Sequence, residues 1–133
     1  SMEPNLHTNQ RLIVEKVSYR WGAPRRGDIV VVRIPGHKVP PIKRVVALSG
    51  ETIEIREGRV LVNGQHLEET YLADVEQQDY GPFTVPLRNV FVMGDNRNFS
   101  SDSRYFGPVP IDQILGRAWL SYWPPPEIGF LKP

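Results

Sequence analysis

The segment Gly94-Asp95-Asn96-Arg97-Asn98-Phe99-Ser100-Ser101-Asp102-Ser103-Arg104 packs two Asp, two Asn, two Arg and three Ser into eleven residues, directly after the apolar run Val90–Met93. Arg97, Asp102 and Arg104 can form a charge-assisted network that holds such a segment in one shape. A solvated loop has a similar composition, but Phe99, Tyr105 and Phe106 argue for a loop packed onto something. A serine hydroxyl becomes a nucleophile only beside a base. The three histidines, His7, His37 and His66, form no cluster and lack the spacing of a zinc pair, which disfavours a histidine triad and a metal site. Cysteine is absent, which excludes thiolate chemistry and disulfides. Four lysines remain: Lys16, Lys38, Lys43 and Lys132. Lys43 lies between Pro41-Ile42 and Val45-Val46-Ala47-Leu48. Its stem could be half buried with the ammonium snorkelling to water. Alternatively it is desolvated, its pKa falls from about 10.4, and the neutral amine takes a proton from a serine. Lys16, beside Val14 and Val17, has a comparable setting, and the residue types alone leave both readings standing.

These groups must be positioned by short elements. Thirteen Pro and eleven Gly are spread over 133 residues and leave little room for long helices. Between them lie Val- and Ile-rich runs of strand length: 11–17, 28–34, 42–48, 52–55, 59–62, 90–93 and 118–122. Thr52-Ile53-Glu54-Ile55 alternates with period 2, and Glu57-Gly58 and Asn63-Gly64 are turn dipeptides, so residues 52–62 are predicted to form a hairpin. The pattern predicts an all-β chain of antiparallel sheets, as a sandwich or a partly closed barrel, in one domain over 1–133. Residues 64–88, with the acidic stretch 66–80 inside them, read as a small excursion or cap within that domain.

Four blocks of this chain, Ser1-Met2-Glu3-Pro4, Arg26-Gly27-Asp28-Ile29-Val30-Val31, Ile42-Lys43-Arg44-Val45-Val46 and Gly94-Asp95-Asn96-Arg97 through Ser100, Asp102, Ser103 and Arg104, closely resemble the four soluble motifs of type I signal peptidases, in the same order and spacing. The match runs from Ser1 to about Trp123, and the Gly-Asp-Asn-Arg loop and the Lys-Arg strand are specific in combination. The resemblance implies a membrane-bound serine endopeptidase that removes signal peptides from exported preproteins, cutting after Ala-X-Ala. It implies Ser1 as nucleophile, Lys43 as general base and Ser100 as the hydroxyl that orients the lysine. Asp102 and Arg104 match a structural ion pair, and Asp95 and Arg97 match support positions of the same loop. Met2, Leu6, Leu12, Val31 and Ile42 match the wall of an apolar pocket for a small side chain, although each could also be ordinary core. No cofactor and no metal are implied. Three positions depart from the usual pattern: Asn5 for Thr, Ser49 for Pro and Glu51 for Asp. In the family a membrane anchor, a substrate-pairing strand and an oxyanion donor precede the serine. The chain starts at Ser1, so these are expected to lie outside it, and the piece is expected to fold but cleave poorly, since one lost oxyanion donor costs about 10² to 10³ in rate.

The expected partners are the signal peptides of preproteins and a membrane surface, with the catalytic domain on the outer face of the cell membrane and Trp21 or the Trp119–Trp123 region as interfacial candidates. The longest apolar runs are four residues, far short of the roughly 20 of a spanning helix. A net charge of +1 argues against nucleic acid or another polyanion as partner, even with Arg25-Arg26 and Arg44 present. The competing readings are an organellar processing peptidase of the same superfamily, a self-cleaving repressor-type Ser/Lys domain and a non-catalytic β interaction module. The second lacks an upstream Ala-Gly or Cys-Gly bond to cut, and the intact Ser1, Lys43 and Ser100 argue against the third.

Overall fold

Short β-branched runs separated by Gly and Pro form a chain of strands, seen in a computed structural model that describes residues 11–15, 24–69, 77–123 and 129–130. In order these are β1 (Arg11–Glu15), β2 (Ile29–Val32), β3 (Ile42–Ala47), β4 (Thr52–Arg56), β5 (Arg59–Val62), β6 (Gln65–His66), β7 (Tyr80–Thr84) and β8 (Asn89–Met93). There follow a 3₁₀ turn at Arg97–Phe99, the one-turn helix α1 (Ser103–Phe106), β9 (Val109–Pro110), a second 3₁₀ turn at Ile111–Gln113, β10 (Ile114–Trp123) and β11 (Gly129–Phe130). The mainly β, antiparallel class read from the sequence is the class observed. Among the described residues the strands make two open sheets rather than a closed barrel. The larger has the order β1-β10-β2-β3-β8-β9 with β11 on β10, and the smaller the order β6-β5-β4-β7.

The hairpin β4–β5 closes through Glu57-Gly58, both with positive φ (53° and 76°), and Asn63-Gly64 turns β5 into β6 in the same way. Such two-residue turns match the right-handed twist of the flanking strands. Sequence reading missed β7 and β9. Both contain proline (Pro82 and Pro110), and both lie at sheet edges, where a missing N–H breaks no ladder.

The smaller sheet is inserted between β3 and β8, which are neighbours in the larger one. β3 and β8 are buried on both faces, which is why their sequences are continuous rather than alternating. One face carries Val46, Ala47, Phe91 and Met93 against Ile53, Ile55, Val60, Val62 and Val85 of the smaller sheet and its return. The other carries Val45, Val90 and Val92 against Val30, Val32, Val109 and Ile114. The turn from β3 into the smaller sheet is held by Glu51, whose carboxylate takes two hydrogen bonds from Arg26 (2.6 and 2.7 Å) and one from the Leu48 amide (2.6 Å). The Ser49 hydroxyl joins the same turn to the Asn89 carbonyl, so two of the departures from the family pattern have a local role here.

Candidate active site

β3 carries two consecutive charged residues into the core, Lys43 (3% exposed) and Arg44 (1%), on opposite faces of the strand. A buried charge must find a partner or lose its proton. Arg44 finds Asp95: its Nε and Nη2 donate to the two carboxylate oxygens at 2.9 and 2.8 Å, and Nη1 donates to the Gly27 carbonyl at 3.0 Å. This fully buried fork ties β3 to the start of the polar loop and to the turn before β2.

Lys43 meets a hydroxyl: its Nζ donates to Ser100 Oγ at 3.1 Å. Its pKa lies below the ordinary lysine value. Desolvation by burial is the largest cause; the Asp102 charge pulls it back up and the Arg104 charge pushes it down. The desolvated alternative raised by the sequence is therefore the one the geometry favours over snorkelling. Lys16 lies outside the described residues.

Ser100 is held by the edge of β8. Beyond Val90, which pairs with Val109, no strand covers that edge among the described residues, and loop side chains accept its alternate amides. Val92 N–H donates to Ser103 Oγ at 2.9 Å; Gly94 N–H donates to Ser100 Oγ at 3.0 Å and to Asp102 Oδ2 at 3.1 Å. Asp102 also caps α1 by accepting the Arg104 amide at 3.1 Å, and its carboxylate takes Arg104 Nε and Nη2, both at 2.9 Å. Arg104 Nη2 donates further to the Arg97 carbonyl at 3.0 Å, which draws the 3₁₀ turn onto the helix.

The network expected among Arg97, Asp102 and Arg104 thus forms, but only through the Arg97 backbone. The Arg97 guanidinium turns away: its Nε donates to the Gly94 carbonyl at 2.7 Å, and its terminal nitrogens reach Glu69 and Gln77. Of the loop aromatics, Phe106 packs on the core under β8, whereas Tyr105 is exposed beside Arg104.

Among the pocket candidates, Val31 and Ile42 are half-buried and face each other in the β2–β3 register, one position from Lys43. Leu12 is on β1, opposite Ser121 of β10, two strands further along the sheet order from β3 than β2 is; its side chain is outside the described set. Ser1, Met2 and Leu6 lie outside the described residues, as does Trp21 and the side chain of Trp119. Among the described residues no group of His, Asp or Glu is arranged to hold a metal ion, and no helix is long and apolar enough to cross a membrane.

Sequence reading gives Arg44 only as part of the Lys-Arg strand and as a polyanion candidate, without a buried partner, and assigns no role to Glu69 or Gln77. For Arg44 a signal existed: an arginine inside a run buried on both faces requires a buried carboxylate, and the polar loop holds the acids. Glu69 and Gln77 carried none, since a glutamate in an acidic stretch reads as solvated.

Residues 1–123 match the family described as signal peptidase, peptidase S26. The chain is 46% identical to signal peptidase I of Leptolyngbya laminosa, over 100% of this chain and 70% of that protein. It is 44% identical to a probable signal peptidase I-2 of Synechocystis (98% of this chain, 63% of the other). It is 39% identical to the chloroplastic thylakoidal processing peptidase 1 of Arabidopsis thaliana (97% and 41%). It therefore spans from two-fifths to seven-tenths of the length of these relatives. The fold is similar to the crystal structure of a signal peptidase I from Enterococcus faecalis, with a TM-score of 0.64 and 36% identity over 71% of this chain and 95% of that one. Family match, full-chain relatives and shared fold agree: the chain belongs to the signal peptidases of peptidase family S26.

Proposed function

We propose that this chain removes signal peptides from preproteins by Ser/Lys endoproteolysis. The observation that carries the reading is Lys43: a buried amine, its pKa lowered by desolvation, 3.1 Å from the Ser100 hydroxyl on a strand of the core. In this reading neutral Lys43 takes the Ser1 proton, and Ser1 Oγ adds to the scissile carbonyl. The resulting Lys43 ammonium returns the proton to the leaving amine as the C–N bond breaks, leaving an acyl ester on Ser1. Lys43 then deprotonates a water that releases the acyl group as a carboxylate and restores the serine. An amine on a four-carbon stem has many rotamers, and the Ser100 bond selects among them. Val31 and Ile42, beside Lys43, contribute to a wall for the small side chains of an Ala-X-Ala site, with Met2, Leu6 and Leu12 as its family-matched remainder. Asp95, Arg97, Asp102 and Arg104 support the loop. Action at a membrane surface, on its outer face, follows from the kind of substrate.

The test is cleavage of an Ala-X-Ala preprotein peptide in detergent, read by mass spectrometry. Cleavage after the second alanine is expected to fall by about 10² to 10⁴ in Lys43→Ala and in Ser1→Ala. Undiminished cleavage by folded Lys43→Ala would overturn the dyad.

A further inference from the structure

The catalytic loop is fastened on its far side to Glu69 and Gln77. Arg97 makes the fastening, and it is completely buried; Glu69, its partner, is 7% exposed. Both terminal nitrogens of Arg97 donate to the Glu69 carboxylate, and Nη1 also reaches Gln77 Oε1 at 3.3 Å. The third donor, Nε, holds the Gly94 carbonyl, and the amide of that same glycine donates to Ser100 Oγ, on which Lys43 Nζ rests. An unbroken chain of hydrogen bonds therefore runs from Glu69 through Arg97, Gly94 and Ser100 to Lys43. A cleft of about 250 Å³ opens beside it, lined by Gln77, Tyr80, Asn98 and Tyr105 with the two arginines. A fixed guanidinium with two carboxylate oxygens is a rigid fork, so the position of Gly94 depends on it.

We infer that Glu69, with Gln77, is a positioning residue for the catalytic lysine, acting through Arg97 and Gly94 on Ser100. The inference rests on the Ser/Lys reading above. Without Glu69, Arg97 loses its anchor, the loop loosens, and water reaches Lys43.

The experiment is the pH profile of kcat/KM on the Ala-X-Ala peptide for wild type, Glu69→Ala, Glu69→Gln and Gln77→Ala, with Glu51→Gln as a control in a distant ion pair. Glu69→Ala is expected to lower kcat by about 10- to 10²-fold, as small misplacements of catalytic groups do, with KM nearly unchanged. Its acid limb is expected to move to higher pH, toward the ordinary lysine value, because hydration restores the charged form. Glu69→Gln, which keeps an acceptor, is expected to retain more activity, and Gln77→Ala to show the same shift at smaller size. Glu51→Gln is expected to lower the melting temperature and leave the limb in place. A wild-type limb with unmoved kcat and limb in both Glu69→Gln and Gln77→Ala would overturn the positioning role, even if Glu69→Ala fails to fold. Absence of any lysine limb in wild type, with activity kept by Lys43→Ala, would instead overturn the dyad itself.

Discussion

Lys43 is held where an apolar side chain would be more comfortable, and this sets how the protein responds to pH. Burial lowers its pKa below 10.5, so the unfolded chain binds the proton more tightly than the folded one. Stability must then rise with pH between the folded pKa and 10.5. Lys43→Met fills similar space without a charge to desolvate. It is expected to be inactive but to melt higher than wild type at neutral pH, and the gap should close as the pH approaches the ordinary lysine value; thermal melts across pH check both. The neighbouring charges act on the same proton with opposite signs. Asp102 raises the lysine pKa and Arg104 lowers it. Asp102→Asn is therefore expected to move the acid limb of kcat/KM to lower pH and Arg104→Gln to higher pH. Both variants should lose stability, since each leaves a buried partner unpaired. A shift in the same direction for both would refute the electrostatic account.

At the scale of the element, one strand position and one turn decide whether the smaller sheet is presented correctly. Gly81 in β7 has φ +73°, and a Cβ there would lie 2.7 Å from the Ile53 carbonyl oxygen of the neighbouring strand β4. Backbone cannot yield as a flexible side chain can, so Gly81→Ala is expected to cost about 1 to 3 kcal/mol, measured by denaturant unfolding. At the other end Glu51 pins the β3–β4 turn, and its Arg26 partner is the main reason its carboxyl pKa is lowered. A lowered carboxyl pKa contributes stability above the ordinary value of 4.5, lost as the pH falls through the folded pKa. Glu51→Gln is expected to lose up to about 1 kcal/mol at pH 7, because the pair is partly exposed, and to match wild type in acid.

Over the whole molecule, the two core clusters share the strands β3 and β8 rather than merely touch. Phe91 and Val92 are adjacent in β8 yet belong to different core clusters, Phe91 with the ring group of Tyr80 and Phe83 and Val92 with the larger sheet. Neither cluster can melt without stripping one face of β3 and β8. Phe91→Ala is expected to cost about 3 to 5 kcal/mol and Val92→Ala less, and both should lower one common transition. Calorimetry that resolved two transitions, with only one moved by each variant, would show that the clusters unfold separately.

Strand-length Val and Ile runs, turn dipeptides and the order of four motif blocks determined the β class, the 52–62 hairpin and the family from the sequence alone, because period and turn chemistry are local properties. The lysine showed the limit. Residue types allowed it to snorkel or to be desolvated, and only the place of β3 between β2 and β8, with the loop folded across the β8 edge to bring Ser100 onto it, placed it in the dry. The same folding decided that Asp95 would meet Arg44 and that Arg97 would leave its loop neighbours for Glu69, 28 positions away along the chain. Strands β7 and β9 were illegible for a related reason: a proline argues against a strand until the sheet order shows that the strand is an edge. Hydrogen-bond partners distant in sequence are chosen by which buried polar groups the packing brings within about 3 Å of one another, and that choice exists only once the sheets have closed over them.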